Sequence, residues 1–252
     1  MLDLNDTKTA AERAVVLESI APGTASGAPE RWYWDPSRGR SGVERPAPAT
    51  AYFAAKRALD LAGTLVLAAV FAPLMLVIVL LLRKDGGPVI YRHWRIGRAG
   101  QPFQCLKFRT MIPNADEVLR ELLARDAGLK GEWVHHHKLR CDPRVTGLGR
   151  FLRRTSLDEL PQLWNVIRGE MSLVGPRPVV RQELLRYGRN IQAYLSARPG
   201  VTGLWQVQGR NDTDYRRRVV LDTYYVKRRS LLLDLYILLK TARVVLGGRG
   251  AY

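Results

Sequence analysis

The chain has 252 residues, of which 46% are hydrophobic, so it can build one buried core with an appendage and is not wholly disordered. Its 40 lysines and arginines outnumber 23 acidic residues and give a formal net charge of +17. The natural partners of such a chain are anions, namely phosphorylated ligands, anionic lipids or nucleic acid, and charge alone does not choose among them.

Residues 1–50 are predicted to form a disordered leader. A short helix is indicated near Ala10–Ile20, and the remainder is rich in Pro, Gly, Ser and Ala, with too little apolar material for a core. The N-terminus lacks the basic-then-apolar order of a signal peptide, so we expect the bulk of the chain in the cytoplasm. Cys105 and Cys141 are too few for a disulfide-built secreted domain, and we expect two reduced thiols in polar, basic surroundings.

The segment from Leu61 to Leu82 runs for 22 residues without a charge, which is the length that a bilayer core requires of a spanning helix. Pro73 falls near its middle, where it removes a backbone donor and predicts a bend or a break. Basic residues flank both ends, as is typical of the cytoplasmic side. The segment therefore fits either a re-entrant helix hairpin that dips into one leaflet and returns, or a spanning helix with a proline kink.

Beyond the apolar segment the pattern predicts a small β-hairpin followed by helices. Residues 89–94 and 101–108 indicate two short strands, joined by a turn at Gly97–Gly100. Helical spacing of apolar residues follows in Ala115–Leu129, and Arg181–Leu195 is also predicted to be helical.

The C-terminal residues 231–246 are strongly apolar but interrupted by charges, which suits a buried or interfacial helix better than a span. The expected fold class is α+β and predominantly helical. It comprises a membrane helix at 51–84, bent or broken at its proline, and a cytoplasmic part at 85–252 with helices partly embedded in the membrane interface.

The segment richest in candidate catalytic residues is Arg144–Val180. Asp158 and Glu159 are adjacent carboxylates just after a cluster of arginines, and such a pair is expected to stay ionised at neutral pH. Since Pro161 is tolerated only in a first turn, a helix is predicted to begin within one or two residues of Asp158, which places the pair at its positive end. The alternative is a purely stabilising capping box, because Ser156 and Glu159 have the S-x-x-E spacing.

Several basic residues are candidates for binding phosphate. Arg177 lies within Gly175–Pro178, where two prolines with fixed φ angles would aim its guanidinium, and the alternative is a loop with a surface arginine. Lys107 and Arg109 are two residues apart at the end of the second strand, so we expect both on one sheet face, where a solvated basic face is the alternative.

Two other groups of residues are weaker candidates. The histidines His135–His137 are not expected to bind a metal, because three consecutive residues cannot all face one ion and no companion has ligand spacing. The tryptophans Trp133, Trp164 and Trp205 are expected to be core or membrane-interface anchors rather than platforms for a ligand.

Blocks of this sequence between residues 53 and 246 resemble, in collinear order, the monotopic phosphoglycosyltransferases, also called bacterial sugar transferases. The blocks are KRALDLAG, the proline-containing apolar segment, RIGRAGQPF, KFRTM, DPRVTGLGRFLRRTSLDELPQLWNV, GEMSLVGPRP and RPGVTGLWQVQGR. Several blocks in order are far more specific than a single motif. Members of this family initiate polysaccharide and glycoconjugate assembly on undecaprenyl phosphate, at the cytoplasmic face of the bacterial inner membrane.

The resemblance implies a re-entrant membrane helix broken at Pro73 and a Mg²⁺-dependent carboxylate pair at Asp158 and Glu159. Asp158 would attack the sugar-bearing phosphate of a UDP-sugar, release UMP and hold a covalent phosphosugar that undecaprenyl phosphate then collects. Glu159 would bind the metal or assist proton transfer. Phosphate and substrate binding is implied for Lys107, Arg109, Arg153, Arg154, Arg177 and Arg210.

The resemblance is closest to members that commonly use UDP-glucose or UDP-galactose, so a hexose is the expected sugar. One departure is Ala72, because relatives often have serine before the proline at Pro73, and a serine hydrogen bond cannot hold the bend here. The leader is expected to be dispensable for chemistry.

Two rival classes remain open on the sequence alone. A membrane-tethered nucleic-acid-binding protein would also be basic, but no recognised DNA-binding or RNA-binding signature accompanies the charge, so nucleic acid is not an expected partner. A noncatalytic scaffold could instead bind anionic membrane lipids through its basic surface. Membrane lipids are expected partners in either case, and a homo-oligomeric state is left open.

Overall fold

The computed structural model describes residues 50–136, 139, 141–208 and 214–246, so the predicted leader lies almost entirely outside the described residues. The chain is mostly helical, with two small sheets. The helices are α1 Thr50–Arg83, α2 Ala115–Arg125, α3 Ala127–His136, α4 Gly147–Thr155, α5 Gln162–Arg168, α6 Arg181–Leu185, α7 Ile191–Leu195, α8 Leu204–Gln208, α9 Tyr215–Arg228 and α10 Leu231–Leu246. The strands are β1 Ile90–Ile96, β2 Pro102–Phe108, β3 Ser172–Val174 and β4 Gly200–Thr202.

The described residues fall into two compact units. Residues 111–146 form the smaller unit, which contains α2 and α3. In this unit Arg144 is buried and donates two hydrogen bonds to the carboxylate of Asp142, and its guanidinium stacks over the ring of Trp133. The remaining described residues form the larger unit, which holds the predicted site.

Helix α1 contains the whole apolar segment and is uninterrupted over its 34 residues. Of the two outcomes predicted for Pro73, a bend or a break, a break into two helices is not observed, because an internal proline removes only one of the helix hydrogen bonds. By length and composition, α1 is the one helix in the described part of the chain that could cross a membrane.

Both ends of α1 contact other elements of the larger unit, to which the helix itself belongs. Near the N-terminal end, the guanidinium of Arg57 donates to the carbonyls of Val166 and Ile167, at 2.7 and 2.9 Å. Near the C-terminal end, Ile78 and Leu82 are buried in a cluster with residues of β2 and α4. Large apolar side chains between these ends are exposed, namely Leu65, Val66, Val70, Leu74, Leu76 and Val77.

A buried polar network fixes the N-terminal end of α1. The carboxylate of Asp60 accepts hydrogen bonds from Lys56 Nζ at 2.9 Å and from Ser172 Oγ at 2.8 Å. Lys56 Nζ also lies 3.4 Å from Asp234 on α10, whose other carboxylate oxygen accepts a 2.6 Å bond from Tyr225. Buried charges are tolerated here because each one is paired and hydrogen-bonded.

The predicted hairpin is confirmed. β1 and β2 pair antiparallel, with His93 opposite Cys105 and Tyr91 opposite Lys107. The turn is closed by Gly97 N–H donating to the carbonyl of Gln101 at 2.8 Å. Cys105 is a free thiol that is buried in the main apolar core, and the charges of Lys107, Arg95 and Arg177 nevertheless act on it, as the expected basic surroundings imply.

A second, parallel sheet of three-residue strands β3 and β4 was not predicted. Its backbones approach so closely at Gly200 that an added Cβ would lie 2.1 Å from the nitrogen of Gly175. Strands this short have too few residues for an alternating pattern to be visible in the sequence.

Two predicted helices are interrupted. The helix expected over Ala115–Leu129 ends at Arg125, because Asp126 is extended and its carboxylate accepts from the backbone N–H groups of Gly128 and Leu129 at the start of α3. The helix expected over Arg181–Leu195 is divided into α6 and α7 around Gly188, whose φ is +49°. The C-terminal helix α10 has the predicted bounds.

Candidate active site

Asp158 and Glu159 lie in a short 3-10 turn, Leu157–Glu159, between α4 and α5. The α-helix begins at Gln162 rather than beside Asp158, so the carboxylates precede the helix by about one turn. Ser156 has a φ of +58°, a left-handed conformation that is costly for a residue with a side chain and that often occurs at functional sites. Its hydroxyl makes no capping hydrogen bond, so the capping-box alternative is not observed.

Lys107 joins the two carboxylates. Its Nζ lies 2.6 Å from Glu159 Oε1 and 3.7 Å from Asp158 Oδ2. Burial works to lower the pKa of Lys107, but the charges of Glu159 and then Asp158 outweigh it, and the pKa is raised. The lysine is therefore cationic at neutral pH and lies beside both carboxylates, and its predicted role in binding phosphate stays a prediction.

Asn165 on α5 holds β2 in the position that brings Lys107 to the carboxylates. Its Oδ1 accepts from the backbone N–H of Leu106 at 3.0 Å, and its Nδ2 donates to the carbonyl of Gln104 at 2.8 Å and to Glu170 at 2.6 Å. Asn165 is fully buried, so these bonds replace water entirely. Sequence reasoning missed this residue, because side-chain bonds to a distant strand leave no local pattern.

Gly149 on α4 allows the segment after β2 to reach the site. A Cβ at this position would lie 1.9 Å from the carbonyl oxygen of Thr110, so only glycine permits this contact. Beside it, Arg153 Nε donates to Thr110 Oγ1 at 2.9 Å. Helix α4 and the end of β2 are thereby fixed against each other just before the carboxylates.

Burial dominates the electrostatics of Asp158. The residue is 7% exposed, and this desolvation raises the carboxyl pKa to about 6. The charge of Lys107 lowers the pKa, that of Glu159 raises it, and that of Arg153 lowers it. Asp158 is therefore mostly ionised at pH 7, as predicted from the sequence, and the surrounding positive charge does not fully offset the cost of burying it.

The predicted phosphate-binding residues are distributed over several places. Arg109 is buried at the C-terminal end of α1, where its Nη2 donates to the carbonyl of Leu82 at 2.9 Å and lies 3.6 Å from Asp85. Because β2 ends at Phe108, the alternation that would have put Arg109 on the face of Lys107 does not extend to it. Arg154 is exposed, and Arg210 lies outside the described residues.

Arg177 is found in a basic cluster with two arginines that the sequence analysis did not select. Its guanidinium stacks on the buried ring of Trp205 at 5.1 Å, and Arg218 stacks on the same ring at 4.3 Å. Burial and then the charge of Arg177 lower the pKa of both Arg95 and Arg218. The Nε atoms of Arg177 and Arg218 are buried without a hydrogen-bond partner, so this cluster is suited to an anion.

The hairpin register connects this cluster with the carboxylates. Side chains two residues apart share a face, so His93, Arg95, Cys105 and Lys107 lie on the same side of the hairpin. Burial, followed by the charges of Arg95 and Lys107, lowers the pKa of His93 to about 4, so its imidazole is neutral at pH 7. Arg95 lies one residue beyond the predicted strand 89–94 but within the observed strand Ile90–Ile96, so the alternation would have identified it only if that strand had been predicted to its full length.

Asp222 supports the loop that contains Arg177. It is 1% exposed and accepts a 2.7 Å hydrogen bond from Tyr187. Burial raises its pKa to about 7, although the bond from Tyr187 and then the nearby backbone N–H of Arg177 lower it.

The donor set fits a cation that also uses ligands from a substrate. Among the described residues, no group of three or more His, Cys, Asp or Glu could hold a metal ion. Asp158 and Glu159 provide two neighbouring carboxylates, and Mg²⁺ is commonly bound by one or two carboxylates together with water and substrate phosphates. His137 lies outside the described residues, so the expectation that the histidines bind no metal stays a prediction.

Comparison with known proteins adds the following similarities. The family model described as "Bacterial sugar transferase" matches residues 51–248. The chain is 53% identical over 197 residues to the undecaprenyl-phosphate galactose phosphotransferase of Salmonella typhimurium, covering 78% of this chain but 41% of that protein. It is 52% identical over 199 residues to the exopolysaccharide production protein ExoY of Rhizobium meliloti, covering 79% of this chain and 88% of that protein.

The name of a third relative specifies glucose rather than galactose. The chain is 41% identical over 216 residues to the UDP-glucose:undecaprenyl-phosphate glucose-1-phosphate transferase of Caulobacter vibrioides, covering 82% of this chain and 75% of that protein. The chain thus spans less than half of the galactose phosphotransferase and most of the two shorter relatives.

Proposed function

Because the chain belongs to the bacterial sugar transferase family, we propose that it transfers a hexose-1-phosphate from a UDP-sugar to undecaprenyl phosphate and releases UMP. The names of the relatives specify galactose or glucose and undecaprenyl phosphate, and these are the substrates that we propose here. ExoY is named for exopolysaccharide production, and we propose that this chain acts at the initiating step of such a pathway. The observation that supports the reaction most is a buried carboxylate, Asp158, held next to Glu159 and Lys107.

In the proposed first step, a carboxylate oxygen of Asp158 attacks the sugar-bearing phosphorus of the donor. The bond from that phosphorus to the bridging oxygen breaks, and UMP leaves with the electron pair. The sugar phosphate is now joined to Asp158 as an acyl phosphate. Partial desolvation favours this attack, because a carboxylate with a pKa of about 6 is a stronger base than an exposed one and is still ionised at pH 7.

In the proposed second step, a phosphate oxygen of undecaprenyl phosphate attacks the same phosphorus. The bond to Asp158 breaks, the carboxylate is regenerated, and the product is a diphosphate-linked sugar lipid. Two displacements avoid a direct encounter between two polyanions, and each requires positive charge around the phosphorus. Lys107 and Arg153 are the cations whose charges act on Asp158, and Arg154 follows them in sequence.

The basic face of the hairpin gives the donor a place to bind. We propose that its diphosphate lies along this face, from Lys107 past Arg95 to Arg177, and that Arg210 completes the binding. We also propose that Mg²⁺ binds Asp158 and Glu159 together with donor phosphate oxygens. Its chemistry would be to offset phosphate charge while UMP leaves.

The attachment of α1 supports a re-entrant course in the membrane, for which we propose that the helix bends at Pro73 without breaking. Both of its ends contact the larger unit, near Val166 and near Phe108, so we propose that both ends lie on the cytoplasmic side. Exposed apolar side chains on α9 and α10 would then lie in the membrane interface. They include Val220, Tyr224, Leu232, Leu235 and Leu239. We propose the inner membrane as the location and residues 85–252 as the catalytic part.

The test is UMP release from a panel of UDP-sugars in the presence of undecaprenyl phosphate and Mg²⁺, with Asp158→Asn as the variant. We expect release with UDP-glucose or UDP-galactose by the wild type and none by the variant. Glu117→Gln is the matched control, since it neutralises an exposed carboxylate. A folded, membrane-bound wild type that releases UMP from no donor would favour the noncatalytic scaffold, and omission of Mg²⁺ tests the metal.

A further inference from the structure

The N-terminal end of α1 borders a second basic site, whose lining shares no residue with the surroundings of Asp158. A cavity of about 40 Å³ lies among α1, the hairpin turn, β3 and the junction of α9 with α10. One water molecule needs about 10–15 Å³ on the same scale, so the cavity can hold a phosphate group or a few waters. Four of its five charged lining residues are basic. They are Lys56, Asp60, Arg98, Arg198 and Arg229.

Phe53 orients two of these arginines toward the cavity. The guanidinium carbon of Arg229 lies 4.8 Å from the centre of the Phe53 ring, and that of Arg98 lies 5.8 Å from it. Arg229 also donates to the carbonyl of Ser196 at 3.4 Å. Each guanidinium has five N–H donors, so stacking on the ring limits the direction of both side chains and leaves most donors available to a ligand.

The one acidic residue in the lining, Asp60, offsets only part of the positive charge at this site. Asp60 already accepts bonds from Lys56, Ser172 and Leu173. Arg198 has a lowered pKa, first because it is partly buried and then because Arg57 and Arg98 carry like charges nearby. A bound anion would relieve this repulsion, and guanidinium groups are well matched to phosphate oxygens.

The walls of the cavity lead directly into apolar surface. Leu61, where the charge-free segment of α1 begins, follows Phe53 by eight residues, which is about 12 Å along a helix. Arg229 is followed within three residues by Leu232, which is 80% exposed. Basic side chains that border a membrane-contacting surface lie at the level of lipid phosphates.

We propose that this cavity binds the phosphate of a lipid headgroup, with Arg98, Arg198 and Arg229 as its ligands. The lipid is either an anionic phospholipid of the bilayer or undecaprenyl phosphate. The proposal rests on membrane association but not on the chemistry of Asp158, so each can fail without the other.

The test measures lipid retention by native mass spectrometry on the full-length protein in nonionic detergent. The probes are dioctanoyl phosphatidylglycerol, undecaprenyl phosphate and inorganic phosphate in separate titrations. The variant is Arg98→Gln/Arg229→Gln, and its matched control is Arg92→Gln/Arg189→Gln, which removes two exposed arginines elsewhere. Phe53→Leu is a second variant that keeps every charge but removes the ring on which both arginines stack.

We expect Arg98→Gln/Arg229→Gln to weaken binding of one lipid by about tenfold or more, and Phe53→Leu to weaken it in the same direction. The control and Asp158→Asn should bind like the wild type, and the lipid that shows the loss identifies the headgroup. Equal binding of both lipids by the variant and the control would overturn the proposal. Inorganic phosphate binding as tightly as the lipids would also overturn it.

Discussion

The ammonium of Lys107 lies 2.6 Å from the carboxylate of Glu159, although 52 residues separate them in the chain. The same nitrogen is 3.7 Å from Asp158. One cation from a β-strand thus holds two adjacent carboxylates together, so the charge state of the proposed nucleophile depends on the position of the hairpin.

Replacement of Lys107 should impair chemistry more than folding. Lys107→Met removes the cation that lowers the pKa of Asp158 and that would offset phosphate charge, and we expect UMP release to fall by about a hundredfold or more. Lys107→Arg keeps the charge and should retain more activity than Lys107→Met. Lys130→Met, at an exposed position, is the control. Full activity in Lys107→Met would contradict this role.

Asp158→Asn should stabilise the protein at neutral pH. The folded-state pKa of about 6 lies above the ordinary value of 3.8, so the unfolded chain ionises first as pH rises, and stability is lost between about pH 4 and pH 6. We expect the variant to gain up to about 3 kcal/mol in free energy of unfolding at pH 7. Below pH 4 both states of the wild type are protonated, and the gain should disappear.

This effect is measured by thermal unfolding in detergent with a chelator present, so that no bound cation contributes. Glu117→Gln, which neutralises an exposed carboxylate, should change stability little at either pH. If Asp158→Asn were less stable than the wild type at pH 7, burial of the ionised Asp158 would not destabilise the protein, which contradicts the prediction.

Gly149→Ala should disrupt the approach of α4 to the end of β2. Its new Cβ would lie 1.9 Å from the carbonyl oxygen of Thr110, a backbone atom that cannot move aside cheaply. We expect a loss of about 3 kcal/mol or more in the free energy of unfolding. Gly147→Ala is the matched control, because no atom lies within 4 Å of its added Cβ, and it should be close to neutral. Similar stabilities in the two variants would contradict the described contact.

Loss of Asn165 should loosen β2. Asn165→Ala leaves the partly buried backbone groups of Leu106 and Gln104 without their side-chain partner, and we expect a loss of about 1–3 kcal/mol in the free energy of unfolding. Gln192→Ala removes an exposed amide and should cost little. Chemical denaturation of the two variants gives the comparison, and equal midpoints would exclude this role.

The elements with strong local patterns were predictable from the sequence. Residues of β1 and β2 alternate around a glycine-rich turn, and the hairpin was found with nearly correct bounds. The charge-free segment of α1 was equally evident. In contrast, the predicted helix over Ala115–Leu129 is divided at Asp126 because the carboxylate of Asp126 caps the start of α3 instead of continuing α2. Apolar residues have helical spacing on both sides of Asp126, so the pattern gave no sign of this division.

Only part of the geometry around Asp158 could be predicted from the sequence. The proximity of Asp158 and Glu159 follows from adjacency, and Lys107, which was selected as a candidate for binding phosphate, lies beside both of them. Arg109 was placed on the same face because the alternation was extended one residue past the end of β2, where the chain turns toward α1. Asn165 could not be selected, since its partners are about 60 residues away.

The covalent phosphosugar on Asp158 is tested most directly by intact-protein mass spectrometry after mixing the protein with its UDP-sugar and Mg²⁺ and without undecaprenyl phosphate. We predict a mass gain equal to a hexose phosphate less one water, which peptide mapping should locate at Asp158. The gain should disappear when undecaprenyl phosphate is added, and Asp158→Asn should not show it. Complete turnover by a wild type that never shows this adduct, or the same adduct on Asp158→Asn, would contradict the proposed mechanism.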